Sequence, residues 1–368
     1  TADGIDTLEL RSIFGGGSGV GSENSVSLGD FPDLSKVEVT QLRSDAATVG
    51  DPDDNLNIQE LETDDNLTVS ANDFDHDIEL NYDSTPTDIG FTLDGATFGT
   101  TTLNGAVNTL TVNSTGDSTN ITSLDTSDGG GLSTLNVEGD QDATLTVLQN
   151  SFDVNTQTLT VDGSDLGDNA LTVDVDLTSN FDVTGGSGDE DELQADLSGD
   201  DVEDDFTTTD VERLIVEEAN GSESINLENA DGVTTVGLRN NFGNNNANQP
   251  VAFTETVDDL TVLLQADGEP GNAFGNVGPG AGPVDDNPGA GDLGEQNVGP
   301  VEVEVAGASN NSPADAVTFQ INNQGTDTGL ETADGADGTK EASITTGSIT
   351  ANDVKEVTVV GADGDVHI

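Results

Sequence analysis

The stretches Val107-Asn108-Thr109-Leu110-Thr111-Val112 and Leu132-Ser133-Thr134-Leu135-Asn136-Val137 decide the fold. Each reads apolar-x-x-apolar-x-Val, with Gly, Asp or Asn following within a few residues. The unit recurs at Leu34/Val37/Val39, Val211/Leu214/Val216, Val257/Leu260/Val262 and Val354/Val357/Val359. A variant, Leu159/Val161, has Thr156 in first place. The fourth positions are spaced 25 residues apart from Leu110 to Leu135, and 24 from Leu135 to Leu159. Val37 to Leu110 is 73, near three such steps; Leu214 to Leu260 is 46, near two; Leu260 to Val357 is 97, near four. Leu159 to Leu214, at 55, fits poorly. A period of roughly 20–25 residues is the mark of a solenoid, in which each rung buries its apolar side chains against the next.

Around these units the apolar residues alternate with polar ones, as in half-buried strands. Leu8-Glu9-Leu10, Val37-Glu38-Val39, Leu171-Thr172-Val173-Asp174-Val175 and Val301-Glu302-Val303-Glu304-Val305 show it. Thr and Val fill the runs, and long helical periodicity is missing. The expected fold is all-β, a parallel β-solenoid with β-helix or β-roll-like rungs. Tandem β-sandwich domains are the alternative, since any all-β chain has strands every 8–12 residues. Residues 267 to 300 hold ten Gly and five of the ten Pro and read as a loop or linker. The expected organisation is an acidic solenoid region over 1–266, this linker, and a C-terminal β region over 301–368.

The chain has 73 Asp and Glu against 7 Lys and Arg, a formal charge of −66. At most seven carboxylates can pair with a basic side chain. The others need water, backbone N–H groups or bound cations. Such a chain repels nucleic acid and anionic membranes, and no stretch is long and apolar enough for membrane insertion. Cys is absent, so there is neither a disulfide frame nor a thiolate metal site. Met is absent too, which points to a processed start at Thr1, and the last residues, Gly361 to Ile368, read as part of another turn-and-strand unit, so a portion of a longer polypeptide is expected.

Catalysis finds little support. The two His, His76 and His367, lie far apart, and no nucleophile or phosphate-cradling motif occurs. Carboxylate pairs are so abundant that none stands out as an acid/base couple. The expectation is a protein that is not an enzyme.

Cation binding is the stronger reading. Ca²⁺ takes six to eight oxygens from carboxylates, amides and backbone carbonyls. Gly-Asp turns supply both kinds, because Gly lets the backbone curl and the short Asp side chain returns to the same centre. The best local match is Gly185-Gly186-Ser187-Gly188-Asp189-Glu190-Asp191-Glu192-Leu193, followed by Asp196 and by Gly199-Asp200-Asp201. Further Gly-Asp elements hold Asp3 and Asp6, Asp363 and Asp365, and, in a near-copy of the first, Asp334 and Asp337. Asp73, Asp75 and Asp77 have the first three spacings of an EF-hand loop but neither its later Gly nor its Glu. On a strand they would share one face. These fifteen residues, Asp189, Glu190 and Asp191 among them, are the candidate Ca²⁺ ligands. High-salt adaptation is the competing account of the acidity, but Asp concentrates in the Gly-containing turns.

Gly185 to Leu193 resembles one degenerate copy of the Gly-Gly-x-Gly-x-Asp-x-apolar-x nonapeptide of RTX calcium-binding proteins. Gly4-Ile5-Asp6-Thr7-Leu8 resembles the second half of that repeat. Asp210-Val211-Glu212-Arg213-Leu214-Ile215-Val216 resembles the strand that follows such turns in RTX-type surface-layer proteins of Gram-negative bacteria. The resemblance implies a secreted, cell-surface, calcium-dependent β-rich protein that assembles with copies of itself into a lattice or filament. The alternative is a repeat section of a large calcium-binding adhesin, which holds a cell-surface polysaccharide or other surface at its far end.

Overall fold

The computed structural model contains 28 strands and no helix among the described residues. In chain order they are β1 (Thr7–Ser12), β2 (Asn24–Ser27), β3 (Lys36–Gln41), β4 (Leu56–Leu61), β5 (Thr68–Asn72), β6 (Ile78–Tyr82), β7 (Asp88–Asp94), β8 (Thr97–Asn104), β9 (Thr109–Thr115), β10 (Asn120–Asp125), β11 (Thr134–Gly139), β12 (Ala143–Val147), β13 (Leu159–Asp165), β14 (Leu171–Asp176), β15 (Phe181–Thr184), β16 (Glu192–Leu197) and β17 (Phe206–Thr209). Then follow β18 (Arg213–Ala219), β19 (Glu223–Asn226), β20 (Thr235–Arg239), β21 (Val251–Thr256), β22 (Leu260–Ala266), β23 (Gln296–Val298), β24 (Val301–Val305), β25 (Ala316–Asn323), β26 (Ile344–Thr346), β27 (Ile349–Asn352) and β28 (Glu356–Gly361). The structure describes these strands together with residues 28, 107–108, 116, 132–133, 140–142, 158, 166–170, 185–191, 210–212 and 227–234. The chain divides into two compact units, Thr1–Leu193 with Thr207–Val211, and Gln194–Phe206 with Glu212–Ile368.

In the first unit the odd-numbered strands β1 to β17 lie side by side in one sheet, and the even-numbered strands β2 to β14 in another. The chain therefore visits the two sheets alternately and adds one rung with each circuit. Every pairing whose register is described is parallel, as between β9 and β11 or β12 and β14. The structure is thus a parallel β-solenoid, not the antiparallel tandem sandwiches of the alternative. Strand alternation sends every second residue inward, which gives β9 its strict half-buried, buried rhythm. Parallel register then stacks like on like. In the odd sheet Ile89, Leu110, Leu135, Val161 and Val183 form one buried column. In the even sheet the column runs Leu56, Ile78, Thr101, Leu124, Val147 and Val175. Each such aliphatic side chain gains about 1.5–3 kcal/mol from leaving water, so the columns carry the stability of the stack.

In the second unit β18, β20, β22, β25 and β28 lie in order in one sheet, β19, β21, β24 and β27 in a second, and β23 pairs with β26 in a third. Its buried columns include Leu214, Val236, Val262 and Phe319, and Ile225 with Phe253. Residues 267–295 of the expected linker lie outside the described residues; β23 falls within the rest of it.

The repeat expected from the sequence is real, but its arithmetic needs correction. Leu135 faces Val161, two residues beyond the Leu159 that the motif had aligned with it. Leu260 faces Val317, which faces Val357, so those 97 residues make two steps and not four. Leu159 and Leu214 fit poorly because they belong to different sheets. A shift of two keeps every apolar side chain inward, so the hydrophobic pattern alone does not choose between such registers.

Candidate functional site

The sequence pointed to the turn before β16, and the local structure there depends on close stacking. Gly185 donates its N–H to Thr209 O at 2.9 Å, and Ser187 donates its N–H to Gly167 O at 2.6 Å. The turn thus lies between the chain at Gly167 and the chain at Thr209. A Cβ on Gly185 would meet Asp210 O at 2.0 Å, and one on Gly186 would meet Gly167 O at 2.5 Å. Both glycines are buried. The Gly-Gly pair is therefore required by the approach of two neighbouring carbonyls, whatever else the turn does.

Asp191 closes this turn. It is 1% exposed, and its two oxygens take different donors. Oδ1 accepts the Leu171 N–H at 2.6 Å and Oδ2 accepts the Gly186 N–H at 2.8 Å. The carboxylate joins its own turn to the start of β14. Burial pushes the Asp191 carboxyl above its ordinary value, against the lowering effect of the Leu171 and Gly186 N–H groups; nearby Asp210 and Asp142 push the same way as burial. Asp189 and Glu190, by contrast, are exposed in the turn. Asp196 lies in β16. Asp3, Asp6, Asp73, Asp75, Asp77, Asp200, Asp201, Asp334, Asp337, Asp363 and Asp365 lie outside the described residues. Among the described residues no three acidic or histidine side chains converge in a way that could hold a metal ion.

The structure brings forward acids that the sequence reading passed over. Asp142 Oδ1 accepts the Ala170 N–H at 2.9 Å, and Asp168 Oδ1 accepts the Ser187 hydroxyl at 3.0 Å. Thr146 donates to Asp174 at 3.2 Å and Thr207 to Asp182 at 2.9 Å. Ser27 donates to the carboxylate of Glu60, a residue at φ 57°. The partners lie in different rungs in every case. On the outward face of β4, β6 and β8, Glu79 accepts from Asn57 Nδ2 at 2.8 Å and from Asn104 Nδ2 at 2.6 Å. Asn81 donates to Asn57 at 2.9 Å and accepts from Asn104 at 2.8 Å, which closes a ring of four side chains. Lys36 and Glu38, 2.6 Å apart, supply an ion pair as well. Seven of the described carboxylates, those of Glu60, Glu79, Asp142, Asp168, Asp174, Asp182 and Asp191, are thus answered by neutral donors from an adjacent rung. The signal that could have found the strand acids is position, as Asp174 faces Thr146 and Glu79 faces Asn57 in consecutive strands, whereas Asp142 and Asp168 lie in turns.

Among the described residues no helix is long and apolar enough to cross a membrane. No family model matches the chain, and neither a curated protein nor a solved structure matches it.

Proposed function

We propose that this chain is an extracellular structural protein that assembles with copies of itself into a calcium-stabilised surface layer or filament. The observation that carries the reading is the parallel ladder itself, built on a chain with a charge of −66. A stack of near-equivalent rungs is a scaffold, and its outward positions include carboxylates set opposite one another, as where Glu9 faces Glu38. Like charges placed opposite one another are destabilising, and two such molecules repel at any distance within the Debye length, about 8–10 Å in ordinary salt. Divalent ions are the agents that let surfaces of this kind approach. Ca²⁺ suits oxygen-only ligands, and exposed turn acids such as Asp189 and Glu190 are open to it.

Adding Ca²⁺ at low ionic strength should raise light scattering, and EGTA should reverse it. Particles whose size does not respond to either would overturn the reading. A chain that binds Ca²⁺ yet sediments as a monomer at high concentration would favour the adhesin section instead.

A further inference from the structure

Acidic turns in a chain this negative invite the assumption that each needs an ion to stay closed. The turns around Asp142, Asp168 and Asp191 are built otherwise. Asp142 takes the Ala170 N–H. Asp168 takes the Ser187 hydroxyl. Asp191 takes the Leu171 and Gly186 N–H groups. The three backbone groups named here belong to Ala170 and Gly186, which lie in turns, and to Leu171, the first residue of β14. Leu171 and Gly186 are buried, so their N–H groups must find an acceptor, whereas the Asp142 and Asp168 bonds are exposed and tie their turns more weakly. A carboxylate is the strongest acceptor a side chain can offer, and its bonds to N–H are charge-assisted.

The same turns are fixed by backbone bonds independent of any acid. Leu166 donates its N–H to Gly163 O at 2.9 Å, Ser187 to Gly167 O at 2.6 Å and Ala143 to Ala170 O at 3.0 Å. The Leu166 bond closes its own turn, while the Ser187 and Ala143 bonds join neighbouring rungs, as the Asp142, Asp168 and Asp191–Leu171 bonds do.

We propose that these carboxylates are rung staples, which hold the turns at residues 140–142, 166–170 and 185–191 together through the chain's own donors, so that removing divalent cations leaves these turns closed. Combined with the assembly proposed above, on which this second step rests, the consequence is a division of labour. Cations join molecules through exposed acids, while the stapled turns keep each molecule folded when the cations leave. Disassembly is then reversible, because it does not pass through an opened solenoid.

Hydrogen–deuterium exchange of the full chain, at constant ionic strength with Ca²⁺ or with EGTA, tests the two steps separately. Peptides that carry the amides of Ala170, Leu171 and Gly186 should keep their exchange rates within about twofold after chelation, because their acceptors remain in place. Light scattering on the same samples reads assembly. Exchange at these amides that quickens by more than about tenfold in EGTA would overturn the staples, whatever the scattering does. Scattering that ignores EGTA while the amides stay protected would overturn the assembly and leave the staples standing. Asp191→Ala adds a direct test. It should speed exchange at Leu171 and Gly186 with and without Ca²⁺, and unchanged protection there would also refute the proposal. Should that variant fail to fold, the chelation arm on the unaltered chain still decides.

Discussion

The turn at Asp191 and the outward face at Glu79 solve one problem in two environments. Each has a carboxylate that accepts from two neutral N–H donors. Asp191 is buried and takes backbone N–H groups, which have nowhere else to go. Glu79 is half-buried and takes amide side chains from the strands on either side, which could turn to water instead. The comparison teaches that a hydrogen bond's worth here depends on what its loss leaves behind. A stranded buried donor costs its full desolvation, whereas an exposed one costs little.

Substitutions that break this contrast should rank accordingly. Gly185→Ala would drive a methyl into Asp210 O, 2.0 Å from its ideal position, and should cost about 3 kcal/mol or more in urea unfolding. Asp191→Ala, which strands two buried N–H groups, should cost about 2–3 kcal/mol. Glu79→Ala should cost about 1 kcal/mol, because Asn57 and Asn104 recover water. If Glu79→Ala proves as harmful as Asp191→Ala, the distinction drawn here fails. Thr146→Val, which removes one 3.2 Å bond to Asp174, should cost about 0.5 kcal/mol.

Acidity sharpens the same comparison. The Asp191 carboxyl is raised above 3.8 in the fold, so the folded chain holds that proton more tightly than the unfolded chain does. Its contribution is therefore largest below pH 3.8 and is lost as pH rises through the raised value. The stability difference between the unaltered chain and Asp191→Asn should shift in favour of the variant over that rise, measured by urea unfolding at matched ionic strength. A difference that moves the opposite way would mean that the two N–H groups outweigh burial.

Much of the fold was legible in the residues. Leu110, Val112, Leu135 and Val137 alternate with polar neighbours, and all four are buried in the stack. What alternation does not encode is a two-residue shift, and so Leu159 was matched with Leu135 where Val161 belongs. Nor does a motif say which sheet it enters, hence the misfit between Leu159 and Leu214. The candidate site was partly legible. Gly185, Gly186 and Asp191 were singled out as a calcium-type turn. Their spacing is equally what close stacking and a backbone staple demand, because both uses need a glycine to admit a neighbour and a short acid to reach back. The ring at Glu79 is not legible in the sequence because each bonded pair in it is more than 20 residues apart and shares no local pattern.

Leu260 and Val317 face each other although 57 residues separate them, while Leu110 and Leu135 do so across 25. The cost of closing a connection grows only with the logarithm of its length, about 0.6 kcal/mol per doubling. A rung is thus defined by its strands and not by the sequence spent between them. Evolution, or a protein engineer, could lengthen the chain between β22 and β25 to display new material there, while the neighbouring rungs keep their seating.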